Sequence, residues 1–78
     1  MIETKHRVTI MSTDDARLTL EIDGEVVSAD WDELSVRLAE APPVARQSIV
    51  ISPAGYGLHW PLVDEDLSID GILRDFGS

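Results

Sequence analysis

A chain of 78 residues with 15 acids against 6 Lys and Arg, a formal net charge of −9, suffices for one domain (residues 1–78) and not for two. Hydrophobic residues make up 44% and charged residues 27%, which excludes a disordered chain, and the absence of cysteine excludes a disulfide framework and any Cys-based metal site. An acidic surface repels phosphate backbones, so direct nucleic-acid binding is not expected. No apolar run has signal-peptide or membrane-span length, and a cytoplasmic, membrane-free protein is expected.

Residues 7–11 carry the β-rich run Val8, Thr9 and Ile10. Ser12, Thr13, Asp14 and Asp15 then signal a turn. Leu18, Leu20 and Ile22 alternate with Arg17, Thr19 and Glu21, the period of a half-buried strand. Asp23-Gly24 is a hairpin signal, because both central residues of a tight I′ turn need positive φ. Val26 and Val27 continue into a third strand ending near Ala29, which completes an antiparallel meander.

A helix is expected next. Asp30 stands as N-cap with Glu33 three positions on, a capping-box pattern. Trp31, Leu34 and Leu38 form one stripe, with Val36 off it and covered on a second side. Pro42-Pro43 ends the helix. The β-branched run 48–52 reads as a buried strand, and Pro53-Ala54-Gly55 turns the chain. Residues 56–60 return as a strand with Leu58 and Trp60 on one face and His59 on the other. Pro61 ends it. Ser68 caps a last helix, with Leu67 and Ile72 as a hydrophobic staple and Ile69, Ile72, Leu73 and Phe76 as its stripe.

The expected fold is α+β: an antiparallel sheet of about five strands in the order βββ-α-ββ-α, with two short helices on one face. The expected core is Val8, Ile10, Leu18, Leu20, Ile22, Trp31, Leu34, Leu38, Ile49, Ile51, Leu58, Trp60, Ile69, Leu73 and Phe76.

Chemical motifs are sparse. Residues 66–71 resemble the opening of a calcium loop, but position 12 is Gly77 where a bidentate Glu belongs. Helix capping by Ser68 explains the same residues. The acids Asp64, Glu65 and Asp66 read as a solvated loop. His59 has no partner nucleophile, since the chain has no Cys and no serine in a G-x-S-x-G elbow, and His6, between Lys5 and Arg7, reads as an exposed strand start. Lys5 and Arg7 share a strand face at most, too little for a nucleic-acid footprint. The glycines at 55 and 57 precede a strand, so they form no phosphate loop. No catalytic residue, cofactor or metal is expected.

The stretch 51–76 reads ISPAGYGLHWPLVDEDLSIDGILRDF. It resembles the short bacterial proteins of domain-of-unknown-function family 2442, whose C-terminal half carries G-Y-G-I-H-W-P, then acids, then D-[IL]-S-[IV]-[ED]-G-[IL]-L. Residues 55–61 supply the first part, with Leu58 for Ile, and residues 64–73 the second, with Asp70 where Glu is common. The resemblance implies no catalytic residues. It implies a two-gene toxin–antitoxin-like setting for many members, and a C-terminal helix-turn-helix domain in some, which is not expected in this chain.

The reading is a non-enzymatic, antitoxin-like interaction domain. Its expected partner is a small basic protein, steered by the acidic surface. Tyr56, His59, Asp64, Glu65 and Asp66 are the candidate binding residues, clustered at one end of the hairpin where loops carry function. A structural or regulatory homodimer is the alternative.

Overall fold

A computed structural model describes residues 6–77. The class is α+β, as expected, but the strands divide into two three-stranded antiparallel sheets. The first contains β1 (Val8–Thr13), β2 (Arg17–Ile22) and β3 (Glu25–Asp30); the second contains β4 (Val50–Ile51), β5 (Gly57–Trp60) and β6 (Glu65–Ser68). Four short helices complete the fold: α1 (Trp31–Leu34), α2 (Val36–Ala39), α3 (Pro43–Gln47) and α4 (Ile69–Phe76).

The first sheet follows its alternation. Leu20 stands opposite Ile10 and Val27, and Leu18 opposite Thr13 and Ala29, so Leu18, Leu20, Ile22, Val27 and Ala29 are buried on one face. Asp23 and Gly24 have φ of 53° and 89°, the two positive values that the tight hairpin needs. In the β1–β2 turn the Asp14 carboxylate accepts the N–H groups of Ala16 and Arg17 at 3.0 and 2.8 Å. These two bonds hold its pKa below the usual carboxylate value, that from Arg17 first.

The expected helix after β3 breaks at Ser35, which is extended (φ −168°, ψ 125°). Its hydroxyl oxygen accepts the Leu38 N–H and donates to Glu65 Oε2. A serine that bonds backbone and carboxylate in this way competes with helix continuation. Asp30 makes no side-chain cap; its carboxylate pairs with Arg17 across the strands at 3.1 Å. The break leaves Trp31 and Leu38 buried and Val36 exposed, so no second side is covered. Pro42-Pro43 ends one helix and opens another, because Pro43 occupies the first turn of α3.

Three further expectations give way. Residues 48–52 form a strand of only two residues, both exposed, and Ile51 leaves the core list. The acidic loop is instead the turn 61–64 followed by β6, in which Glu65 pairs with Trp60 and Asp66 with His59. Acids are poor strand formers, so only the ladder to β5 reveals this strand. Val27 and Ile72 join the core, whereas Val8, Ile10, Leu34, Ile49, Leu73 and Phe76 are partly buried against it.

Two tryptophans centre that core. Trp31 and Trp60 meet edge to face with centroids 6.3 Å apart, a geometry worth roughly 0.5–1.5 kcal/mol beyond burial. Both indole N–H groups donate to backbone carbonyls, Trp31 to Asp14 at 2.8 Å and Trp60 to Arg46 at 3.1 Å. The Arg46 guanidinium lies 5.8 Å from the Trp31 ring centre and also donates to Ala41 O. Ser68 caps α4 by accepting the Gly71 N–H at 2.9 Å, as its position predicts.

Candidate functional site

The five expected binding residues do not form one cluster. Tyr56 precedes β5 and is 44% exposed; its carbonyl accepts the Ile69 N–H at 2.9 Å. Asp64 lies beyond the opposite end of β5, in the β5–β6 turn, with φ of 53°. A strand of four residues separates them, about 13 Å. His59 and Asp66 face each other across β5 and β6, Nδ1 to Oδ1 at 2.7 Å. Glu65 points to the other face, where it receives the Ser35 hydroxyl and its role is to hold the α1–α2 junction. The turn before Glu65 is buttressed from α2, since the Arg37 guanidinium donates to the Val63 carbonyl at 3.3 Å.

His59 and Asp66 continue a row that begins with Val50 of β4. This row forms the outer face of the second sheet, and β4 is one of its two edges, with β6 the other. Val50 is 54% and Ile51 37% exposed. The Ser52 N–H donates inward to Gly57 O at 2.9 Å. Strand alternation therefore turns the Ile51 N–H and C=O away from β5, to the side where no strand pairs among the described residues. Exposed β-branched residues and an unpaired edge are a template for another chain. The SIVIS run (48–52) was legible as β-forming; its position at an edge was not, because that depends on which strands pair.

A second cluster was not expected at all. The His6 side chain is only 9% exposed and bridges two carboxylates. Its Nδ1 lies 2.7 Å from Asp23 Oδ2 and its Nε2 lies 2.8 Å from Asp70 Oδ1. It is therefore not an exposed strand start; Lys5, expected beside it, lies outside the described residues. The Asp23 carboxylate also accepts the Arg7 N–H at 2.8 Å. His6, Arg7, Glu21, Asp23, Gly24 and Ala54 line an open groove of about 780 Å³. The carboxylates, Asp23 first and Asp70 second, raise the His6 pKa above its ordinary value. Asp23 is held below the usual carboxylate range, first by the Arg7 N–H and then by His6. No sequence pattern joins residues 6, 23 and 70; only the tertiary fold does.

Among the described residues, no group of three or more His, Cys, Asp or Glu is placed to hold a metal ion. None of their helices is long and apolar enough to cross a membrane.

Fold and surface together define a small acidic α+β domain with an apolar strand edge. The family model described as "Protein of unknown function (DUF2442)" matches residues 8–78. The chain belongs to that family. No curated protein and no solved structure matches it.

Proposed function

We propose that the chain is a non-enzymatic protein-interaction domain that receives a small basic protein at the β4 edge, as the antitoxin-like member of a two-gene bacterial module. The observation that carries this reading is the edge itself. Val50 and Ile51 are exposed on the outermost strand of the second sheet. Main-chain pairing at such an edge supplies affinity, and alternating side chains supply specificity. The acidic surface supplies the steering: the net charge is −9, and Asp66 lies in the same row as Val50 and His59. A complementary field speeds encounter and selects a basic partner.

The test is co-purification of the tagged protein with the product of the neighbouring gene, at low and moderate salt. The expected result is a small basic protein retained at low salt and weakened at higher salt. Ile51→Pro removes the outward N–H without touching the bond from Ser52 to Gly57, so it abolishes retention while the fold persists. If nothing is retained and the chain instead runs as a dimer that Ile51→Pro dissociates, the edge serves a second copy and the homodimer reading replaces this one.

A further inference from the structure

We propose that His6 is a proton-held clasp, which closes the junction of the first sheet, the turn Pro53–Gly55 and α4, and which opens when its ring loses a proton. Both ring nitrogens face carboxylate oxygens at hydrogen-bond distance, 2.7 and 2.8 Å. An ionised carboxylate only accepts, and a neutral imidazole has one N–H. Only the imidazolium donates to both partners at once. Loss of its proton turns one N–H···O bond into a contact between two acceptors.

The backbone of the same residue makes the clasp a junction. The His6 N–H donates to Ala54 O at 2.9 Å. A Cβ on Gly55 would stand only 2.0 Å from the His6 carbonyl oxygen. Asp23 closes the loop from the other side, since its own N–H donates to Arg7 O at 2.9 Å. One histidine thus ties the start of β1 to the β2–β3 turn, to the turn after β4 and to the first residues of α4.

Among the described residues, few charged groups surround it. Asp23 comes from the β2–β3 turn and Asp70 from α4. Glu21 of β2 and Arg7 line the same groove, and Arg74 of α4 pairs with Asp75 at 3.4 Å. The turn Pro53–Gly55 contributes backbone alone. Two carboxylates in direct contact outweigh the neighbouring arginine and favour the protonated ring.

The sign of the pH effect follows. A histidine whose folded pKa is raised adds stability that is fully present below its ordinary value of about 6.5. That contribution is lost as pH rises through the raised value. Asp23, held low, adds stability above the ordinary carboxylate range and loses it as pH falls through its lowered value. The clasp is closed between those limits and opens on the alkaline side.

The test follows the His6 ring nitrogens of the full chain by NMR across a pH titration. The expected midpoint lies above about 6.5, and the Arg7, Gly55 and Asp70 amide resonances shift with the same midpoint. Asp70→Asn is expected to move that midpoint downward while the spectrum stays folded. A midpoint at or below the ordinary value, or a titration that leaves the Gly55 and Asp70 amides unmoved, overturns the proposal.

Discussion

The two sheets of this small domain are held together by different means. The first has three strands of six residues each in continuous register, interrupted by one shift between Ile10 and Ser12. Its buried face comes from its own alternation. The second has strands of two, four and four residues. It persists through groups far away in sequence: the Trp60 N–H on Arg46 O, the Ser35 hydroxyl on Glu65, and the His6 carbonyl against Gly55. A short sheet of this kind gains little from its own ladder and depends on long-range packing. Its β4 edge exposes Val50 and Ile51.

Substitutions that strike the long-range supports should therefore cost more than those in the local turns. Trp60→Ala removes the fully buried indole, its contact with Trp31 and its bond to Arg46 O. A loss of about 3–5 kcal/mol is expected, read from urea unfolding. Gly55→Ala and Gly24→Ala form a matched pair. Both glycines have positive φ, but a Cβ at Gly55 meets the His6 carbonyl and one at Gly24 meets nothing. We expect about 3 kcal/mol for the first and about 1–2 kcal/mol for the second. Equal costs in the two would mean that the junction contributes no more than an ordinary turn.

Smaller effects separate support from recognition within β6. Ser35→Ala removes the α2 cap and one of the two donors to Glu65, the Asp66 N–H remaining, at a cost of about 1–2 kcal/mol. Asp66→Asn acts on an exposed pair and should change stability by less than about 1 kcal/mol. The same change should weaken retention of a basic partner. If the two residues exchange these behaviours, the assignment of Glu65 to the fold and Asp66 to the surface is reversed.

How much was legible in the sequence follows the same division. The first sheet was readable because its signals are local: the alternation of Leu18, Leu20 and Ile22, the Asp14 turn and the Asp23-Gly24 hairpin. The Ser68 cap and the α4 stripe were readable for the same reason. The division into two sheets, the strand formed by Glu65 and Asp66, and the exposure of Ile51 were not. Each depends on which distant strand supplies a partner. The family signature is structural, and Leu58 and Trp60 are buried as their strand face predicts. Gly55, Gly57, Leu58 and Trp60 serve packing and close backbone approach, since a Cβ on Gly57 would stand 2.9 Å from Leu67 O. Within it, Tyr56 and His59 reach the surface.

The packing of α4 on the first sheet also bears on how the chain is made. α4 packs on β3, and Ile69 and Ile72 cover the core face to which the first sheet contributes Leu18, Leu20 and Ile22. During synthesis that sheet emerges long before its cover. At about 5–20 residues per second, the delay from β3 to the end of α4 is a few seconds. For that interval the nascent meander displays its leucines and isoleucines to solvent. A ribosome pause late in the message would lengthen the interval and favour chaperone capture, so translation speed over the last third of the chain is a quantity on which its yield depends.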